Sequence, residues 1–528
     1  MTSSPDSTAV AQKNTLATHR TIITAFMAFT AVALSVATFE YMMVPLQIDL
    51  AISVDGLTGL TLTPVAASLL VVFVVGALGD RLGLRRTMSG GAILYVLGAV
   101  LVMVATSQAW VMAGRGLTGI GGITLAITGL ATLNATCRDA KERGKVFGYL
   151  AAILPATFLL GALVAAGLTD SWGWRTVPVL WILLGVAILV SIRLSPFTPV
   201  SGRAKGELAT PILAGLVLAG LGIAATTLTS NRAFAVAAVT VAVTALVALL
   251  LLMRALSHPT LDLRVLRPRG AAFIVGAILL TTAVNFYFFV NLFIQYRFQL
   301  PLIQVSLLFV APQIAGVAGG IIGGRISSRW NAPTAATIAL GASAAGALCF
   351  LFVRAESPVW VPIVVLTLMS LPNSASVGPL TQLLLDGAPA EGSGAASAVR
   401  SALWSVGGIF GSIALGSIAF TAFTASLTDS LHASGLDLSA ASALAEKIRS
   451  GGIVAEIQQE LSATAPLSGL ELSGLTSGLG LAQLHALHLL AIIGFAMLVC
   501  AGILLGVLAA RARKDRVAHE LQTLNNSV

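Results

Sequence analysis

The sequence is built from apolar runs of about 20 residues that alternate with short polar connectors. A run of that length, folded as a helix, spans the ~30 Å hydrocarbon core of a bilayer. Backbone polar groups in lipid need partners within their own segment, so each run is predicted to be a transmembrane α-helix. The composition agrees, because 57% of the residues are hydrophobic and only 10% are charged. We therefore predict an all-α polytopic membrane protein.

Fourteen runs meet this criterion, grouped as six, two and six. The first six lie near residues 22–46, 57–79, 88–106, 109–136, 144–168 and 176–194. A pair follows near 208–228 and 233–254, and the last six lie near 271–296, 302–323, 334–353, 358–384, 394–424 and 482–508. The predicted domains are a tail (1–20), a six-helix bundle (21–195), an inserted pair with basic linkers (196–269), a second six-helix bundle (270–510) and a second tail (511–528).

The basic residues predict which helix ends face the cytoplasm. With a cytoplasmic N-terminus, 22 Lys and Arg residues fall in inner connectors and tails, and 6 fall in outer connectors. The positive-inside rule describes this asymmetry, so both termini are expected in the cytoplasm. The net charge of +9 thus reflects orientation in a lipid bilayer, and no nucleic-acid partner is predicted. The excess of Arg over Lys, beside abundant Ala and Gly, favours a bacterial cytoplasmic (inner) membrane.

One outer connector is long. Within residues 425–481, residues 438–449 form an amphipathic helical pattern, and Ile453, Ile457 and Leu461 recur at helical spacing. The segment is expected to be an extracellular cap made of two short helices. A gate, or a docking site for an envelope partner, is the alternative.

The sequence offers no site for nucleotide-driven transport. None of the six lysines lies in the glycine-rich spacing of a phosphate-binding loop followed by Ser or Thr. No metal is expected either, because His485 and His488, one helical turn apart, lack a third ligand. No enzyme is predicted, since no His cluster or acid pair shares a membrane depth. We expect no cofactor and an ion gradient as the energy source, worth ~2.3 kcal/mol per charge per 100 mV.

A glycine- and charge-rich pattern follows the second predicted span. It reads Gly76-Ala-Leu-Gly79-Asp80-Arg81-Leu-Gly83-Leu-Arg85-Arg86. The glycines allow close helix approach and a sharp turn. Asp80 suits the N-terminus of a neighbouring helix and can also pair with an arginine. The pattern predicts a conformational latch that forms in one access state and breaks in the other, with a plain basic anchor as the alternative.

A degenerate copy of this pattern ends the tenth predicted span, as Gly319-Gly-Ile-Ile-Gly323-Gly324-Arg325-Ile-Ser-Ser-Arg329. The recurrence indicates two related halves, and we include Arg325 and Arg329 in the latch. The first pattern resembles the signature loop of the major facilitator superfamily. The resemblance implies two pseudo-symmetric bundles around a central cleft.

Further motifs resemble the fourteen-helix drug:proton antiporter branch of that superfamily. They are Arg115-Gly-Leu-Thr-Gly119-Ile-Gly121, the pair Gln295 and Pro312, and Gly394-Ala-Ala-Ser-Ala-Val-Arg400 continuing to Gly407-Gly-Ile-Phe-Gly411. The sequence differs from the motifs of this branch in two places that bear on function. The branch's Gly-Pro-x-x-Gly-Gly signature is reduced to Gly161 followed by Ala165 and Ala166, and its first-helix aspartate position is occupied by Val36.

Glu40 is the acidic residue predicted to lie well inside a span. Such residues usually face a wet cavity, so Glu40 is our candidate for proton coupling, with Tyr41 lining the same path. A permanent pair with Arg115 is the structural alternative. Arg115 itself could orient Glu40, bind an anionic substrate group or hydrogen-bond helix carbonyls.

Three further residues are cavity candidates in the second half. Asn285, Phe289 and Gln295 belong to a predicted span in which amides and aromatic rings alternate. Arg400 lies near the cytoplasmic end of its span, so it is expected to snorkel to the interface, with a latch role as the alternative.

These features predict a secondary transporter that exports amphipathic or lipophilic small molecules in exchange for protons, of the multidrug type. An exporter of one metabolite, lipid or siderophore precursor is the nearest alternative. A nontransporting membrane scaffold or sensor is a third reading.

Overall fold

The structure is a computed structural model that describes residues 5–52, 54–137, 139–197, 207–227, 232–256, 270–284, 286–298, 300, 302–386, 393–433, 442 and 469–525. These residues form helices and short connectors. They contain 14 helical segments long and apolar enough to cross a membrane. The predicted fold class, with its six, two and six arrangement, is confirmed.

Sixteen α-helices occur among the described residues. In chain order they are α1 (Pro5–Asp49), α2 (Val54–Leu82), α3 (Leu84–Met103), α4 (Gln108–Thr136), α5 (Ala140–Trp172), α6 (Val177–Leu194), α7 (Ala209–Thr227), α8 (Arg232–Ala255), α9 (Ala271–Ala283), α10 (Phe286–Phe298), α11 (Leu302–Leu308), α12 (Val310–Arg329), α13 (Ala332–Leu348), α14 (Trp360–Asp386), α15 (Ser393–Ala433) and α16 (Gly469–Asn525). We call the end of the bundle where α2 meets α3 the basic end, and the other side the opposite end.

Two predicted spans are each divided into two helices. The ninth consists of α9 and α10, because Val284 has an extended backbone (φ −82°, ψ 101°). The tenth consists of α11 and α12, and Pro312 accounts for this break. A proline has no N–H to donate to the carbonyl four residues earlier, which is that of Leu308, the last residue of α11.

Several helices run past their predicted ends. α1 begins within the predicted tail, α15 continues to Ala433, and α16 already begins at Gly469. The two amphipathic helices predicted between residues 438 and 461 lie outside the described residues, so they stay a prediction.

Each six-helix bundle has its own apolar core. In the N-terminal bundle, the buried side chains of Phe39, Tyr95 and Trp181 come from α1, α3 and α6. In the C-terminal bundle, Phe286 of α10 stacks on Phe350, with ring centroids 4.9 Å apart. Two smaller buried clusters join the bundles, one containing Val146 and Val399 and the other Val72 and Ala402.

A polar cluster ties the N-terminal bundle together at the opposite end. Asp49, which ends α1, accepts hydrogen bonds from the Arg175 guanidinium and from the indole N–H of Trp174, just before α6. Arg175 also donates to the carbonyl of Ala105 at 3.0 Å. The two donors hold the pKa of Asp49 below its usual range. The carboxylate therefore stays ionised at neutral pH and keeps α1 joined to α6.

The inserted pair attaches through α7. A Cβ added at Gly215 of α7 would overlap the backbone carbonyl of Leu70 in α2, so the two helices touch at backbone distance. At Gly222 a Cβ would lie 3.1 Å from Leu69 of α2 and 3.6 Å from Ile409 of α15. α7 therefore packs mainly on the N-terminal bundle and also touches the C-terminal one, and α8 packs on α7.

The contact at Gly215 predicts a stability effect. Gly215→Ala should lower the unfolding free energy by about 1–3 kcal/mol, because the added methyl group has no room beside α2. Thermal unfolding of the detergent-solubilised protein, followed by tryptophan fluorescence, measures this. The matched control is Gly167→Ala in α5, where a Cβ meets no atom within 4 Å. Equal melting temperatures for the two variants would contradict the packing of α7 on α2.

Candidate functional site

Asp80, near the end of α2, joins the two bundles at the basic end. Its Oδ1 accepts a hydrogen bond from the amide of Gly394 at 2.9 Å, and its Oδ2 accepts one from Ala395 at 3.0 Å. Both amides belong to the first turn of α15, where N–H groups have no partner within the helix. The helix dipole also favours a carboxylate at this point. Asp80 thus lies at the N-terminus of a neighbouring helix, as the signature pattern predicts.

Small residues make this contact close. A Cβ on Gly394 would lie 2.6 Å from the carbonyl oxygen of Gly76, and one on Gly76 would lie 2.8 Å from the Cβ of Ala398. Gly83 has a φ of +90°, a conformation that side chains other than glycine's rarely adopt, and it makes the turn between α2 and α3. The glycines of the pattern therefore have distinct roles, in helix contact and in the turn.

The basic side chains of the predicted latch lie on the surface. Arg81, Arg85 and Arg86 are exposed at the basic end, and so are Arg325 and Arg329 at the end of α12. Their position fits contact with water and lipid head groups.

Glycines of α5 and α12 make a second line of contact between the bundles. We call this line, and the one between α2 and α15, the two seams. A Cβ on Gly324 would lie 2.6 Å from the Cα of Gly148 and 2.8 Å from the carbonyl oxygen of Gly144. Gly144 and Gly148 are four residues apart, as are Gly320 and Gly324, so each helix presents a small-residue stripe to the other. The degenerate motif thus joins the bundles through its glycines, and the four-residue spacing in α5 is a signal that sequence reasoning missed.

Polar groups close the same seam. Arg143 of α5 forms an ion pair with Asp386 at the end of α14, at 2.9 Å, and also donates to the side-chain oxygen of Asn134. Gln382 of α14 donates to the carbonyl of Ala140 at 3.3 Å. Sequence reasoning missed these residues as well, because no local pattern pairs positions so far apart in the chain.

The seam reaches the middle of the membrane. A Cβ on Gly316 of α12 would lie 3.0 Å from the Pro155 ring of α5 and 3.3 Å from the Ser370 hydroxyl of α14. The Tyr287 hydroxyl forms a hydrogen bond of 2.7 Å with Ser370, whose hydroxyl donates to the carbonyl of Pro312. Tyr287 thus links α10 to α14 beside this seam, although it is not among the predicted cavity residues.

Glu40 faces the space between the bundles. It is exposed, and it lies eleven residues after Phe29, which brings both side chains to the same face of α1. Phe29 marks the direction of that face, because the Arg400 guanidinium of the other bundle lies 5.6 Å from its ring. The carboxylate of Glu40 thus lies toward the opposite end, on the cleft-facing side of α1.

Arg115 is not brought together with Glu40. It is 3% exposed and donates to the carbonyl of Ser35 at 3.3 Å, and its guanidinium lies 3.8 Å from the Phe39 ring centroid. Phe39 directly precedes Glu40, and consecutive residues of a helix point about 100° apart. Of the three roles considered, the geometry matches the one in which Arg115 hydrogen-bonds a helix carbonyl.

Tyr41 is also separated from Glu40. It follows Glu40 in α1, so it points about 100° away, and it packs against the N-terminal core. That it lines the same path stays a prediction.

The three cavity candidates of the second half have different outcomes. Phe289 is 6% exposed and packs in the C-terminal core, so its assignment to an open cavity is wrong here. Asn285 lies outside the described residues. Gln295 belongs to α10, and its side chain lies outside the described part of the chain as well.

The remnant of the antiporter signature packs against α1. A Cβ on Gly161 would lie 3.3 Å from Thr38 and 3.5 Å from Leu34, which is ordinary to close contact. Ala165 is fully buried and Ala166 is half-buried. This part of α5 belongs to the N-terminal core, and the proline of α5 lies earlier, at Pro155.

Arg400 does not snorkel. It is 6% exposed, its guanidinium lies 4.2 Å from the Trp404 ring centroid, and its Nη2 is 3.4 Å from the Thr381 hydroxyl. The prediction of snorkelling is wrong because α14 and α1 cover the side chain. Its nearness to Phe29 places it at the boundary between the bundles.

The Asp80 contact predicts a shift between conformations. Asp80→Asn should open the basic end, because the amide NH₂ cannot accept a hydrogen bond and the charge on the helix terminus is lost. A loss of about 1.5–3 kcal/mol corresponds to at least a tenfold rise in the open population. The measurement is the labelling rate of Val399→Cys, a buried seam residue, by a membrane-impermeant thiol reagent in protein whose natural cysteines are replaced.

Asp170→Asn is the control, because Asp170 is exposed at the other end of α5. It should leave the labelling rate unchanged. An unchanged rate for Asp80→Asn would contradict the role of Asp80 in holding the seam.

The comparisons with known proteins agree with this geometry. A model of the Major Facilitator Superfamily matches residues 21–412. The multidrug efflux pump LfrA of Mycolicibacterium smegmatis is 27% identical over 453 residues, which cover 82% of this chain and 86% of the relative. The methylenomycin A resistance protein of Bacillus subtilis is 24% identical over 405 residues, covering 74% and 85%.

Solved structures share the fold at low sequence identity. The human organic anion transporter MFSD10 aligns with a TM-score of 0.58 at 13% identity, over 91% of this chain and 99% of that one. The proton:xylose symporter XylE aligns with a TM-score of 0.52 at 16% identity, over 76% and 88%. With a family model that covers most of its length and two bundles joined at the signature loop, this chain belongs to the major facilitator superfamily.

Proposed function

We propose that this protein exports amphipathic small molecules in exchange for protons, by alternating access between its two bundles. The observation that carries the proposal is the asymmetry of the cleft. Breakable contacts hold the bundles together at the basic end, whereas Glu40, a carboxylate within the first span, is exposed toward the opposite end.

The seam is suited to reversible opening. Its polar contacts include two amide hydrogen bonds to Asp80, the ion pair of Arg143 with Asp386 and the hydrogen bond of Gln382 to the Ala140 carbonyl. Water can replace each of them when the seam opens. Its glycine contacts in α5 and α12 rely on van der Waals packing, which costs no unsatisfied polar group when it separates. Opening the basic end therefore leaves no orphaned buried group from these contacts.

We assign the coupling of protons to this motion to Glu40. In the state described, its carboxylate is open toward the opposite end and can take up a proton from that side. When the opposite end closes, the carboxylate loses contact with water, and the neutral form is then favoured over a bare charge in the membrane. Release of the proton at the basic end would complete one exchange cycle.

The names of the relatives support export of toxic compounds. Proteins similar to this chain are named for multidrug efflux and for methylenomycin A resistance. We propose the bacterial cytoplasmic membrane as the location, with the basic end and both termini in the cytoplasm, since the arginine-rich connectors lie there. Small molecules, protons and lipid are the partners, and an envelope partner at residues 425–481 stays a prediction.

Glu40→Gln separates coupling from binding. In proteoliposomes the variant should lose accumulation driven by a pH gradient, because glutamine cannot carry the proton. It should keep substrate counterflow, which needs only alternating access. The measurement is uptake of labelled methylenomycin A, the compound in the name of one relative, with and without an imposed pH gradient.

Glu356→Gln is the matched control, because Glu356 is an exposed acid between α13 and α14 and outside the spans. It should transport like the unmodified protein. Gradient-driven accumulation that survives Glu40→Gln would rule out proton coupling through Glu40.

A further inference from the structure

Arg400 is a buried cation at the boundary between the bundles. It lies in the second turn of α15, about 10 Å from the start of that helix at the basic end. Two rings flank its guanidinium, Trp404 of its own helix at 4.2 Å and Phe29 of α1 at 5.6 Å. Only Phe29 belongs to the other bundle.

No carboxylate balances this charge among the described residues. Arg400 contacts the two rings and makes a long hydrogen bond of 3.4 Å to the Thr381 hydroxyl. Its Nε is buried without a hydrogen-bond partner, and so is the hydroxyl of Ser397, one turn earlier on α15. Two adjacent polar groups therefore lack partners on one part of the helix.

Arg143, another arginine between the bundles, has partners that Arg400 lacks. It is less buried, yet it has both Asp386 and Asn134 as partners. Arg115 also lacks an acid, but its ring and carbonyl contacts all come from α1 and α6 of its own bundle. Arg400 is the buried arginine of the described chain whose surroundings change when the bundles separate.

Burying an arginine without an anion is costly, and the rings offset only part of that cost. When the basic end opens, α1 carries Phe29 away and uncovers the guanidinium on the cytoplasmic side. An anionic group that binds there would supply both the missing charge and the missing hydrogen-bond acceptor. The aromatic rings beside it would contact an apolar body.

We propose that Arg400, with the Ser397 hydroxyl, binds the acidic group of a lipophilic substrate loaded from the basic end. The substrate class is an amphipathic monoanion, bearing a carboxylate, sulfonate or phosphate beside an aromatic or aliphatic body. This inference rests on the proposed export function, because it assigns the loading site to the state in which the basic end is open.

Three probes with the same aromatic body test it. Pyrenebutanoate, pyrenebutanamide and pyrenebutylammonium share the pyrene body and differ in a head group that is anionic, neutral or cationic. Their binding to full-length protein in lipid nanodiscs is followed by pyrene fluorescence. The unmodified protein should bind the carboxylate at least about tenfold more tightly than the amide, and the ammonium most weakly. Raising the open population with Asp80→Asn should strengthen the carboxylate's binding further.

Variants then assign the preference to Arg400. Arg400→Gln should remove the preference for the carboxylate and leave amide binding within about twofold, while Arg400→Lys should retain part of it. Ser397→Ala should weaken carboxylate binding alone. The control is Arg254→Gln, an exposed arginine at the basic end of α8, which should leave all three affinities unchanged.

Equal affinities for the three probes in the unmodified protein would overturn the inference, and this result needs no variant to fold. Equal losses for all three probes in Arg400→Gln would assign Arg400 a structural role and overturn it as well. Accumulation of methylenomycin A driven by a pH gradient decides the export function separately. If that transport occurs while the three probes bind equally, the export proposal is supported and the anion site is rejected.

Discussion

The carboxylate of Asp80 at the N-terminus of α15 is the contact on which the arrangement of the two bundles depends. It satisfies two amides that no helix can satisfy for itself, and it places a negative charge at the positive end of the helix dipole. Because α2 and α15 belong to different bundles, this capping interaction is also a joint. It holds the basic end closed together with the contacts of α5 with α12 and α14.

Both seams combine close glycine packing with polar contacts, but in different proportions. At α2 and α15 a charged cap is backed by the close approach of Gly76 and Gly394, whereas at α5 and α12 glycine stripes do most of the packing and the ion pair of Arg143 with Asp386 lies at the end. Apolar surface drives little association within lipid, so close packing and polar contacts must hold the seams. Such contacts separate at small cost, which suits a protein that must open them in every cycle.

Much of the fold could be predicted from the sequence, because a bilayer imposes a length and a polarity on every span. The place of Asp80 could also be predicted, since a carboxylate after a glycine-rich helix end suits a helix terminus. The break at Val284, the pairing of Arg143 with Asp386 and the burial of Arg400 could not. They depend on which helices pack together, and the hydrophobic periodicity of one sequence does not indicate this.

The most direct test of the account is the distance between the bundles at their two ends. Spin labels at the exposed positions Arg86 and Arg329 report the basic end, and labels at Asp170 and Glu356 report the opposite end, in protein without its natural cysteines. Double electron–electron resonance should give distances that change with opposite signs when pH or substrate shifts the protein between states. Distances that lengthen or shorten together, or a basic end that never opens, would contradict alternating access about the Asp80 joint.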